Sequence, residues 1–181
     1  MHVARGCPQV FLKFLMVLLL WSSLGTANGS VRSEYEVKAA FLYNFTRFIT
    51  WSEPSAEGDE LIICVFGRNP FGDVLQQLNG RVSQGRALEL DYPTSLQELD
   101  RCQVLFVGSG KARDLAAITD YAHARQILTI SEIPGFVDAG GIIGYVKEGN
   151  VIRFEINLLA AQQSGLQINS RLLELALRVI R

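Results

Sequence analysis

The hydrophobic pattern of this chain changes period several times, and each change marks an element. From Glu34 to Thr50, apolar residues recur at Val37, Phe41, Phe45 and Phe48, which aligns them on one helical face. Ser33 before this stretch and Glu36 three residues on predict a capping box. Pro54 bars continuation beyond the following turn. Leu61 to Phe66 (LIICVF) is instead continuously apolar over strand length, and so is Gln103 to Val107. Gln126 to Ile130 reads as a further strand, and Ala87 to Tyr92 alternates as a strand nearer a sheet edge does. Helical stretches are predicted at Pro70 to Leu78 and Ala112 to Ala124. Strands alternating with helices predict an α/β fold: a mostly parallel central sheet with helices on both faces.

The pattern then shifts to a C-terminal β-hairpin added to that sheet. Gly141 to Lys147 and Val151 to Asn157 flank Glu148-Gly149-Asn150, and a short Gly-Asn turn between two strands is a hairpin signal. Leu158 to Gln163 follows, with a break at Gly165. A last helix is predicted from Ser170 to Ile180, with Leu172, Leu173, Ala176, Leu177 and Ile180 as its apolar face. Asn169 or Ser170 can cap its start.

The first residues have a different logic. Arg5 and Lys13 supply positive charge with no acidic residue, Phe14 to Trp21 is an unbroken apolar run, and small and polar residues (SSLGTANGS) follow. That order predicts a secretory signal peptide. The run falls short of the ~20 residues that span a bilayer. Small residues at Gly25 and Ala27 favour cleavage after Ala27, and Gly29 is also allowed. Cys7 lies before the apolar run, so a lipid anchor at the cleavage site is not expected. Residues 28–181 remain as a single domain, and Pro54 to Asp59 is the one expected linker.

Composition narrows the function. The leader removes two of 17 basic residues and none of the 18 acidic ones. The mature chain is therefore mildly acidic and lacks the basic surplus that phosphate contacts need, so nucleic acid is not an expected partner. Cys64 and Cys102 form an even pair in an oxidising compartment, which predicts a disulfide. Two buried free thiols are the alternative. One histidine, His123, remains; it reads as an ordinary surface residue, and a zinc site is hard to build from it.

No catalytic constellation is visible, so the chain is read as a non-enzyme without cofactor or metal. Gly108-Ser109-Gly110-Lys111 invites comparison with a phosphate-binding loop, but Leu105 and Ala112 stand where that motif needs Gly and Ser or Thr. Gly67-Arg68-Asn69-Pro70 is a strand-to-helix turn, and such turns in open α/β sheets border ligand crevices. Arg68, Asn69 and Gly108 are the weak ligand-binding candidates, and a small-ligand-binding protein that tunes a membrane receptor is the alternative function. Arg153 and Glu155 point to one side of a strand whose other side carries Ile152, Phe154 and Ile156. That side reads either as an ion pair at the sheet rim or, with Asn157, as a face displayed for recognition.

Three segments together resemble the YfiR family of exported regulators: YEVKAAFLYNFTRFITW (Tyr35 to Trp51), the strands LIICVFG and CQVLFVG with Cys64 and Cys102, and GGIIGYVKEGNVIRFEINLLAAQQSGLQINSRLLELA (Gly140 to Ala176). The resemblance implies a periplasmic α/β domain that represses an inner-membrane diguanylate cyclase by binding its sensory region, lowering cyclic di-GMP and biofilm formation. It also implies an outer-membrane lipoprotein that sequesters the repressor. The family's first cysteine pair falls on Cys64 and Cys102. Gly, Ile and Val stand where a second pair lies near the hairpin. Glu155 is the first partner-binding candidate, with Arg153 and Asn157 beside it. Ile143 and Ala161 are candidate apolar contacts, or plain core. The oligomeric state is open, a homodimer included.

Overall fold

The computed structural model describes residues 33–52 and 60–181. The expected leader, its cleavage site and the linker from Pro54 lie outside the described residues. Ser33 and Glu36 close a capping box, Ser33 Oγ accepting from the Glu36 amide and the Glu36 carboxylate accepting from the Ser33 amide, and start helix α1 (Glu34–Phe48). The helix stops at Phe48, two residues before its expected end. The residues after it, β-branched Ile49 and Thr50 and then Trp51, form strand β1 (Ile49–Trp51), as such residues favour. The buried face of α1 is also rotated from expectation. Ala39, Leu42 and Phe45 lie in the core, whereas Val37, Phe41 and Phe48 pack at its margin.

The remaining strands are β2 (Glu60–Phe66), β3 (Val82–Ser83), β4 (Arg86–Asp91), β5 (Val104–Val107), β6 (Leu128–Ser131), β7 (Ile143–Glu148), β8 (Val151–Asn157), β9 (Leu166–Ile168) and β10 (Arg178–Ile180). Helices α2 (Leu115–His123), α3 (Leu158–Gln163) and α4 (Ser170–Leu175) join them. The predicted helix Pro70 to Leu78 is a 3-10 segment, Gly72–Leu78. The first three residues of the predicted Ala112 helix belong to another, Ser109–Asp114. Eight strands make one sheet in the order β10-β8-β7-β6-β5-β2-β4-β3, while β1 and β9 pair separately. The pairs from β4 through β2, β5 and β6 to β7 are parallel, and β7–β8 is the antiparallel hairpin around Gly149-Asn150. The α/β fold expected from the pattern is therefore present.

Alternation along the strands sorts the core into two layers. Leu61, Ile63 and Val65 of β2 join one apolar cluster with α1, and Cys64 and Phe66 join the other with α2. Val104 and Phe106 of β5 divide from Leu105 and Val107 in the same way. Successive side chains point to opposite faces, so the sheet is buried on both sides here. Phe45 anchors the α1 layer, with its ring 5.1 Å from that of Phe154 in an edge-to-face contact. Cys64 and Cys102 are bridged, with Cα atoms 5.8 Å apart.

The C-terminal helix departs most from the pattern. It ends at Leu175, and Arg178–Ile180 turns into β10, which lies parallel to β8 with Arg178 opposite Glu155. Of the predicted apolar face only Leu172 is buried, and Leu177 is exposed. Val179 and Ile180 are β-branched, and the open edge of β8 satisfies their backbone better than another helical turn would. Among the described residues no helix is long and apolar enough to cross a membrane.

Candidate interaction surface

Strand β8 has two unlike sides. Ile152, Phe154 and Ile156 are buried, whereas Val151 and Arg153 are exposed and Glu155 is half-buried. On this outer side no helix is among the residues lining a groove of about 490 Å³. The segment Glu132–Asp138 forms one wall of the groove, and residues of β7, Glu155 and Arg178 complete it. The chain leaves this wall for β7 through Gly141, where a Cβ would lie 2.2 Å from the Phe136 ring, so only glycine permits the close approach.

Two ionic clusters frame the groove. Arg178 donates to both oxygens of Asp138, at 2.8 and 2.7 Å, and to both of Glu155, at 3.0 and 2.8 Å. One guanidinium thus clamps two carboxylates in paired-fork geometry. The Arg178 guanidinium holds the Asp138 carboxyl below its usual range. The parallel register that sets Arg178 opposite Glu155 makes this possible. Arg153 forms no ion pair among the described residues. The expected ion pair at the sheet rim is real, but its cation is Arg178. Reading Arg178 as helical hid it, although the Arg-Val-Ile run was a strand signal.

The second cluster is a chain of alternating charge. Lys147 Nζ lies 2.6 Å from Glu34, which lies 2.5 Å from Lys38, which lies 2.6 Å from Glu132. The Lys38 side chain is only 5% exposed and lies over the Tyr35 ring, 4.7 Å from its centroid. Burial disfavours its charged form, but hydrogen bonds to Glu132 and Glu34 outweigh that and raise its pKa above the usual lysine value. Hydrogen bonds from Lys147 and Lys38 lower that of Glu34. Tyr145 donates to the Lys38 carbonyl at 2.7 Å, and burial pushes its phenol well above its ordinary value. The wall Glu132–Asp138 is therefore tied at one end to α1 and at the other to β10. Hydrophobic periodicity gave no sign of a buried lysine at position 38.

The other candidates divide as follows. Asn157 is buried; it caps α3 by accepting from the Ala160 amide at 2.9 Å and donates to the Val137 carbonyl at 2.9 Å. Its side chain holds the wall in place and is not displayed. Ile143 and Ala161 are fully buried in the α1 layer, so of the two expectations for them core is the one observed. Glu155, Arg153 and Arg178 remain as the accessible set. After β2, in the middle of the sheet, Arg68 is exposed, and Asn69 accepts from the Phe71 amide within its turn. Gly108 is buried with its Cβ position 2.6 Å from the Arg68 carbonyl oxygen, so the expected crevice between these turns is closed by backbone. His123 is half-buried, not a plain surface residue, and burial lowers its pKa. Among the described residues no cluster of His, Cys, Asp and Glu could hold a metal.

The site thus lies on an α/β sheet, doubly covered at its centre, that ends in an open, ion-framed hairpin. The YfiR/HmsC-like family matches residues 35–177, most of the described structure, and the chain belongs to that family. Membership supports, in general terms, a regulator of a diguanylate cyclase that acts in the periplasm. No curated protein matches the sequence. Among solved structures, the ABC domain in complex with L-Trp from Streptococcus pneumonia is 14% identical with a TM-score of 0.48. The likeness covers 66% of this chain and 55% of that one.

Proposed function

We propose that the chain is an exported repressor that binds the periplasmic sensory region of an inner-membrane diguanylate cyclase through the hairpin face. It acts without catalysis or cofactor, and an outer-membrane lipoprotein relieves repression by sequestering it. The observation that carries this reading is the open outer side of β8, where Glu155 and Arg178 rim a groove beside a sheet centre covered on both faces. Charged, accessible groups around partly apolar walls are the usual anatomy of a protein interface. The action is a population shift. The repressor binds the inactive state of the cyclase more tightly, and only that difference in affinity can switch it.

The test is co-purification of the tagged, exported protein with a membrane diguanylate cyclase, together with cellular cyclic di-GMP. Deleting the gene should raise cyclic di-GMP, and restoring it should lower the level again. Unchanged cyclic di-GMP with no captured cyclase would contradict the reading.

A further inference from the structure

The Gly108-Ser109-Gly110-Lys111 turn is not used by the hairpin face, and Lys111 stands in an unusual place. Its ammonium lies 4.1 Å from the centroid of the Phe66 ring, and it forms no ion pair among the described residues. It borders a hollow of about 290 Å³ beside the carboxyl end of β2. Phe66, Leu96 and Ile118 give the hollow apolar lining, and Thr94, Lys111 and Asp114 give it polar lining. The chain runs from β2 to β4 on one side of the sheet and then crosses to β5 on the other, so this is the topological switch point where open α/β sheets bind ligands. The Lys111 stem packs on the turn after β2, where the Gly67 Cβ position lies 3.1 Å from Lys111 Cγ.

We infer that this hollow binds a small amphipathic monocarboxylate, with its carboxylate on Lys111 and its apolar body on Phe66. The volume lies at the lower end of the range for ligand sites, roughly 300–1,000 Å³, which limits the ligand to a compact ring or short chain. A lysine over an aromatic face keeps its donors directed outward and is only partly satisfied by the ring. A carboxylate gives it a charge-assisted hydrogen bond. Asp114 on the same rim opposes a dianion, so inorganic phosphate is the wrong shape and the wrong charge. The site uses strands distant in the sheet order from β8 and β10, so it stands or falls separately from the partner-binding face.

The experiment uses the purified, disulfide-bonded protein and fluorine NMR of 4-fluorophenylacetate, with 4-fluorophenylacetamide and inorganic phosphate as comparison probes. The carboxylate should bind saturably, and the amide about tenfold more weakly, the loss of one charge-assisted contact. Lys111→Gln should weaken the carboxylate by a similar factor, and Ala117→Phe, at an exposed position on the rim, should abolish binding by filling the hollow. No binding of the carboxylate would overturn the inference. So would equal binding of the amide, equal binding by Lys111→Gln, persistence in Ala117→Phe, or phosphate binding as tight as the carboxylate.

Discussion

The middle of the large sheet and its β10 end are finished in different ways. Around β2 and β5 both faces are apolar and buried, and the Cys64–Cys102 bridge ties β2 to the segment before β5. Around β7, β8 and β10 one face joins the aromatic core through Tyr145 and Phe154, and the other stays open, with a groove framed by ion pairs of Lys38 and Arg178. Burial and a covalent link are insensitive to what approaches the surface. Ion pairs at a groove rim can be exchanged for those of a partner. Under the proposed function, the first region supplies stability and the second recognition.

The largest effect should come from the covalent link. Cys64→Ala with Cys102→Ala opens a loop of 38 residues, worth about 4 kcal/mol in the chain-entropy model. Denaturant unfolding should show this loss. A protein already near the edge of stability would then be recovered unfolded. If the double variant unfolds within about 1 kcal/mol of the parent, the bridge is not what holds this region.

The next effect tests the buried lysine. Lys38→Met leaves Glu34 and Glu132 without their shared cation and should cost about 2 kcal/mol. That is less than the roughly 3–5 kcal/mol of a fully buried broken pair, because both carboxylates keep some contact with water. The combination Lys38→Met with Glu132→Gln should recover part of the loss, and a double-mutant cycle measures it. A double variant that costs as much as the sum of the two single losses, or more, would remove Lys38 as the tie between α1 and the groove wall.

These groups also predict how stability follows pH. The folded pKa of Glu34 is lowered, so its contribution is present above the unfolded value near 4.5 and is lost as pH falls through the folded value. The folded pKa of Lys38 is raised, so its contribution is full below the unfolded value near 10.5 and is lost as pH rises through the folded value. The chain of charges therefore stabilises across the neutral range and fails on both sides. Unfolding curves of the parent and Lys38→Met should converge in strong acid and in strong alkali. Parallel curves throughout would contradict the linkage.

The same contrast explains what the sequence could reveal. LIICVF and VLFV are buried on both faces, and continuous apolar runs announce such strands whatever surrounds them. The hairpin was legible because Gly149-Asn150 separates two runs of strand length. Short elements that depend on a distant neighbour were not. β1 needs β9, and β10 needs the open edge of β8, so local periodicity read both as helix. Glu155 could be singled out as a candidate, but its partner Arg178 emerges only from that register. Lys38 was hidden for a related reason, since a lysine is buried only where carboxylates from other segments meet it. Ile143 and Ala161 show the reverse: apolar residues beside a recognition face can still belong to the core.

The smallest effect on stability should accompany the largest effect on binding. Arg178→Ala breaks exposed ion pairs and should leave the thermal midpoint nearly unchanged. Glu155→Arg sets a second cation against Arg178 at the groove rim. The most direct measurement is calorimetric titration of the purified periplasmic sensory region of the cognate diguanylate cyclase with the parent and with Glu155→Arg, both shown to be folded. The parent should bind with measurable heat, and Glu155→Arg should bind at least about a hundredfold more weakly, as truncating or reversing a charge in an interface does. Equal affinity for the two proteins would contradict the assignment of recognition to the hairpin face.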